Sequence, residues 1–242
     1  MHDGAGFEDV LRRLSVAHRI LAMEGHNDLT LGHMSIRDPD GRGLWLKKAE
    51  RGLDEIFEPD DFALIDFEGR ELVNPGRRHS EWPIHTEIMK SRPDVNVVGH
   101  THARYSVLFS ATDEDLHAFN HEGANLKGSF TRFVESSGLI NTVPLGRSLA
   151  EALADSPLVL MKNHGITFVG PTIEEATLFG VFMERACRSH IEMAASGLRV
   201  STPVTEAYDR KMTGGNSSTN YHCVFFDYLA RTLARSEQTR GV

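Results

Sequence analysis

Cysteine is nearly absent from this 242-residue chain, which carries only Cys187 and Cys223. Both fall in stretches of helical spacing, neither has the spacing of a metal ligand, and both are read as reduced, buried thiols. Long hydrophobic runs are missing too, and the opening His2-Asp3-Gly4 lacks the charged-then-apolar pattern of an export signal. The expectation is a cytoplasmic protein with no membrane partner. No stretch rich in Pro, Gly and Ser divides the chain, so one domain over residues 1–242 is expected, with a helical C-terminal segment at 203–237. Positive charge is in short supply: 26 Lys and Arg stand against 34 Asp and Glu, for a formal net charge of −8. The basic residues are scattered, which argues against nucleic acid as a partner and leaves a small-molecule substrate. An anionic metabolite would then need local positive charge from a metal.

Histidine, by contrast, is abundant at 13 residues. The apolar run Val95-Asn96-Val97-Val98-Gly99 ends in His100-Thr101-His102. On an extended backbone, residues two apart share a face, so both imidazoles can reach one ion. The same pair could also simply end a strand with both rings hydrogen-bonded. A third histidine, His164, sits in the turn Asn163-His164-Gly165 between two apolar segments, where glycine allows the backbone to bend and present the ring inward. Three imidazoles on a tetrahedral ion leave one position open, the form of a catalytic rather than a structural site. His2, His18, His26, His190 and His222 fall on helices or terminal segments and are read as solvated or hydrogen-bonded rings.

Spacing predicts an amphipathic helix over 7–21 that stops at Gly25, then extended segments at 34–37, 44–47 and 63–66. A helix is predicted over 81–91 after Ser80, a strand over 95–102, and helices over 103–110 and 146–154. Strands at 158–161 and 166–169 flank the His164 turn. A long helix over 172–196 follows, capped by Thr172 with Glu174 and Glu175 in its first turn. A final helical pair at 205–212 and 219–235 is split by Gly214-Gly215-Asn216. This pattern implies a central, mostly antiparallel sheet with helices packed on it.

Three segments resemble the class II aldolase/adducin family. Ser80-Glu81-Trp82-Pro83-Ile84-His85, with the segment running from Ser91-Arg92-Pro93 to His100-Thr101-His102-Ala103, is similar to its central signature. Lys162-Asn163-His164-Gly165 is similar to its second metal segment, and Gly32-His33-Met34-Ser35-Ile36-Arg37 resembles its glycine loop and first strand. The resemblance implies an α/β, three-layer αβα fold and a homotetramer with active sites between subunits. It also implies one divalent ion (zinc, manganese, iron or cobalt) on His100, His102 and His164, with Glu81 as catalytic base or fourth ligand. Taken alone, Glu81 is a first-turn carboxylate favoured by the helix dipole.

Departures from the family's sugar-phosphate aldolases bear on the substrate. Positions that match their phosphate pocket read His33, approximately Ala49-Glu50, and His79-Ser80. A carboxylate at Glu50 would repel phosphate, and a glycine's backbone freedom is lost there. His33, His79 and Ser80 are therefore assigned to substrate binding, and Arg77 and Arg78 are either anion contacts or a solvated basic loop. The family's proton-donating tyrosine is replaced by His121, a second catalytic candidate with a surface loop histidine as the alternative. The reading is a metal-dependent carbon–carbon lyase on a non-phosphorylated carboxylate or hydroxy-carbonyl compound, with decarboxylation placed ahead of aldol cleavage. The alternatives are a non-haem iron oxygenase and a non-catalytic, adducin-like interaction domain.

Overall fold

The computed structural model describes residues 4–126, 128–199 and 219–241. The helix expected at 205–212 and the glycine turn after it lie outside the described residues. Eight strands form one sheet: β1 (His33–Arg37), β2 (Leu44–Lys47), β3 (Phe62–Ile65), β4 (Glu71–Val73), β5 (Val97–Thr101), β6 (Phe130–Phe133), β7 (Leu158–Met161) and β8 (Gly165–Gly170). Their order is β4-β3-β2-β1-β5-β8-β7-β6. Neighbours are antiparallel except β6 and β7, which run parallel.

Alternation along the central strands splits the core into two layers. Val97, Leu158, Leu160, Ile166 and Phe168 face one side, against α1 (Gly4–Leu21), α3 (Arg104–Ser110), α6 (Ile173–Ala195) and α7 (Thr219–Arg240). Val98, Val159, Met161 and Val169 face the other, against α2 (Trp82–Ser91) and α5 (Val143–Leu153). Helices on both faces of a sheet make the expected three-layer α/β fold.

Boundaries follow local chemistry. Thr172 caps α6 by accepting from the Glu175 amide at 3.2 Å, as its sequence predicts. α5 begins earlier than expected because Thr142 caps it and Pro144 suits its first turn. α2 begins at Trp82, which leaves Glu81 as the flanking residue rather than a helical one. Two strands and one α-helix escaped the sequence reading, β4, β6 and α4 (His121–Leu126), as did the single helical turns Leu53–Glu55 and Pro59–Asp61. β4 is exposed along its length, and three of the four β6 residues are only half-buried, so neither edge strand shows a clean apolar alternation.

Candidate metal centre

The register of the sheet builds the site. His100 on β5 lies directly opposite His33 on β1 and Thr167 on β8. Side chains on that face point towards α2, whose N-terminal end carries Glu81. His102 lies one residue beyond β5 and keeps the His100 side of the strand. The turn between β7 and β8 then brings in His164, whose amide donates to the Met161 carbonyl at 3.0 Å.

One nitrogen, carbonyl-lined or carboxylate-paired, orients each strand histidine. His100 Nδ1 donates to the Ile166 carbonyl at 3.0 Å, and His102 Nδ1 donates to Asp28 Oδ2 at 3.0 Å. Both Nε2 atoms are therefore lone pairs, and they face each other at 3.1 Å. Two lone pairs at that separation repel unless an ion lies between them, and an outward Nδ1 bond to a carbonyl or carboxylate is the usual support of a metal-bound histidine. Glu81 Oε2 is 3.7 Å from His100 Nε2, and Glu81 Oε1 is 3.7 Å from His164 Nε2. The four side chains Glu81, His100, His102 and His164 can all offer donor atoms within 4.8 Å of one another. The three imidazoles thus fit a tetrahedral divalent ion with one position open beside Glu81.

Burial keeps His100 and His164 neutral, as ligation requires. Loss of solvent, then the neighbouring His102, holds His100 well below the ordinary imidazole range, and the same two causes bring His164 to about 4. Glu81 is 1% exposed, and desolvation raises its carboxyl, opposed by the Ile140 amide that donates to Oε1 at 2.9 Å. Oε2 is left as the oxygen free to carry a proton.

Gly165 corrects the expected reason for its turn. The left-handed residue there is Asn163, with φ of 57°, and Gly165 belongs to β8. A Cβ at Gly165 would lie 2.4 Å from the Thr101 carbonyl and 2.9 Å from His102 Cδ2, so glycine is required to admit the histidine strand.

The other assigned residues divide. His33 is fully buried, and desolvation followed by His79 holds it well below the ordinary range, so it presents a neutral ring rather than a cation to any anion. Its Nδ1 bonds His85 Nε2 at 2.6 Å, His85 Nδ1 bonds Ser35 Oγ at 2.7 Å, and its Nε2 has no partner among the described residues and faces Glu81 Oε2 at 3.7 Å. His79 lies against His33 with ring centroids 3.8 Å apart and ring planes tilted by 46°, and Ser80 is exposed. His85 and Asp28 were missed by the sequence reading. His85, four residues after Glu81 on α2, was detectable by helical spacing, whereas nothing local marks Asp28.

Glu50 is a further correction. It adopts φ of 68° without being glycine, so the backbone path survives the substitution, and its carboxylate pairs with Arg77 instead of standing free to repel a ligand. Arg78 lies over the Trp82 ring at 4.9 Å and donates to the Gly69 carbonyl. His121 is not brought to the cluster: it starts α4, is exposed, and bonds the Tyr221 hydroxyl on α7.

A sheet covered by helices on both faces, with three imidazoles near strand ends and a buried carboxylate at the start of α2, makes an α/β protein with a candidate metal centre. The chain belongs to the class II aldolase and adducin N-terminal domain family, whose model matches residues 12–191. It is 31% identical over 182 residues to the meiotically up-regulated gene 14 protein of Schizosaccharomyces pombe, covering 74% of this chain and 70% of that one. It is 28% identical over 195 residues to a 3,4-dihydroxyphthalate decarboxylase of Arthrobacter keyseri, covering 76% and 78%. Among solved structures, an L-fuculose 1-phosphate aldolase from Glaciozyma antarctica superposes with a TM-score of 0.81 at 20% identity, covering 99% of this chain and 94% of that one. That likeness shows the shared fold. No helix among the described residues is long and apolar enough to cross a membrane.

Proposed function

We propose that this chain is a divalent-metal-dependent carbon–carbon lyase acting on a non-phosphorylated carboxylate or hydroxy-carbonyl compound, with decarboxylation ahead of aldol cleavage. The observation that carries the reading is the opposed pair of Nε2 lone pairs on His100 and His102, each fixed from behind, with His164 and Glu81 alongside. Zinc, manganese, iron or cobalt bound there would supply a Lewis acid for substrate oxygens.

The chain's own residues do the rest. Ile166 and Asp28 orient the two strand histidines. The Ile140 amide fixes the Glu81 carboxylate, so Oε2 takes a proton from the substrate or returns one to carbon after the bond breaks. Burial of Glu81 raises its proton affinity, and the Ile140 amide opposes that rise. Substrate contact is assigned to His33, His79 and Ser80, with His33 and His79 acting as neutral hydrogen-bonding rings. Support for a non-phosphorylated substrate comes from Arg77, whose charge is taken up by Glu50. Relatives named as decarboxylase and as aldolase lie at similar identities, 28% and 30%, so decarboxylation is placed first on the departures at His33, His79 and His121 from the sugar-phosphate aldolases.

The remaining features of the reading are one domain over 1–242, a cytoplasmic location, and a homotetramer with sites between subunits. In that assembly His121, exposed on α4, would meet the site of a neighbouring copy and donate a proton there. The test is carbon dioxide release from aromatic carboxylates by metal-loaded protein without oxygen. Glu81→Gln is expected to keep the ion and lose activity by about 10²- to 10⁴-fold. Turnover only with oxygen uptake would replace the lyase by an oxygenase.

A further inference from the structure

A cavity of about 500 Å³ opens beside the metal centre, lined by Asp28, His102 and His164 and, from α3, by Arg104, Val107 and Leu108. Its volume is that of a small-molecule site. Arg104, Val107 and Leu108 are spaced i, i+3 and i+4, so they form one stripe along the helix. Arg104 is the one lysine or arginine in that lining.

Arginines elsewhere show why this one matters. Every other arginine from α1 through α6 has a protein partner among the described residues. Some pair with carboxylates, as Arg13 does with Glu174, Arg42 with Asp38, Arg92 with Asp94, Arg147 with Glu87 and Arg185 with Glu24. The same holds for Arg12, Arg19, Arg51, Arg70, Arg77 and Arg188. Others donate to carbonyls, as Arg37 does to Met89, Arg78 to Gly69 and Arg132 to Thr112. Arg104 has neither kind of partner among the described residues and is exposed. Glu184, the carboxylate that packs on the start of α3, is taken up by the amides of Tyr105 and Ser106 and by the Ser106 hydroxyl.

Resting on the lyase reading above, we propose that Arg104 anchors a carboxylate of the substrate, one that lies apart from the group held at the metal centre. A guanidinium binds a carboxylate through two parallel hydrogen bonds. Val107 and Leu108 supply an apolar wall, which suits a flat ring between the two ends. Asp28 lines the same cavity and is 40% exposed, and its charge disfavours a phosphate dianion more than a carboxylate monoanion. The substrate class that matches is an aromatic compound with two anionic ends, one for the ion and one for Arg104.

Calorimetric titration of zinc-loaded protein with phthalate, monomethyl phthalate and phenyl phosphate tests this, with zinc content measured on the same samples. Arg104→Ala is expected to weaken phthalate by about 10- to 100-fold, the range of a charged hydrogen-bonded contact, and to leave monomethyl phthalate nearly unchanged. Arg104→Lys falls between, because the paired geometry is lost. The inference is overturned if wild-type protein fails to bind phthalate, if Arg104→Ala affects both carboxylates equally or neither, or if phenyl phosphate binds more tightly with the same dependence on Arg104. Wild-type protein that takes up no zinc overturns the lyase reading instead. Zinc uptake with no Arg104 dependence overturns only the anchor.

Discussion

Replacing Gly99 by alanine perturbs the strand that carries the metal histidines without touching a ligand. A Cβ at Gly99 would lie 2.1 Å from Phe168 Cε2 and 2.4 Å from Cζ, far inside an ordinary carbon contact of about 3.5–4.0 Å. Phe168 must therefore retreat by more than an ångström. Behind it lies Gly180 of α6, where even a built Cβ comes within 3.0 Å of the same ring, so the ring already rests on helix backbone. The strain passes to the packing of α6 on the sheet. Overpacking of this kind costs about 1–3 kcal/mol, and the reduced freedom of alanine in the unfolded chain returns about 0.5–1 kcal/mol. The 2.1 Å approach puts the cost at the upper end of that range, and the net loss of about 2 kcal/mol corresponds to a Tm lower by about 4–8 °C for a domain of this size. Thermal and urea unfolding of Gly99→Ala, Phe168→Leu and the double variant check it. The double variant is expected to be more stable than the sum of the two losses by about 1 kcal/mol or more, since the smaller side chain relieves the clash. Additive losses, or a Gly99→Ala protein within about 0.5 kcal/mol of wild type, would refute the close-approach argument.

Two further perturbations separate orientation from burial. Asp28→Ala frees His102 Nδ1 from its carboxylate, so metal affinity is expected to fall by about 10- to 100-fold in competition with a chelator; unchanged affinity would mean that Asp28 does not support the ligand. Burial depresses His18 to about 3, while its Nε2 accepts from the Met34 amide at 3.1 Å. Between its unfolded value near 6.5 and that folded value, the unfolded chain binds a proton that the folded chain does not. Its stability contribution is complete above pH 6.5 and is lost as pH falls towards 3, at about 1.4 kcal/mol per pH unit. His18→Gln is expected to remove one such increment from the slope of urea stability against pH, and an unaltered slope would refute it.

Strand periodicity made His100 and His102 legible, because a period of two is a local property of the chain. The placement of His164 was legible for a similar reason, although the role of its glycine was not: the close approach of Thr101 and His102 to Gly165 is a contact between strands far apart in sequence. Asp28 and the Ser35–His85–His33 chain also arise only across strands and helices, so their function has no local signature. Glu50 shows the converse. Its substitution was visible, but its pairing with Arg77 and its left-handed backbone were not, and both soften the repulsion that sequence alone implied. Short edge strands were lost because exposed or half-buried residues carry little apolar pattern.

The central claim is that His100, His102 and His164 hold one divalent ion beside Glu81. Metal analysis of protein purified without chelator, compared with His102→Ala checked for folding by circular dichroism, tests it most directly. The account predicts about one equivalent of zinc, manganese, iron or cobalt in wild type and its loss, with activity, in the variant. A folded His102→Ala protein that retains both ion and activity would contradict it.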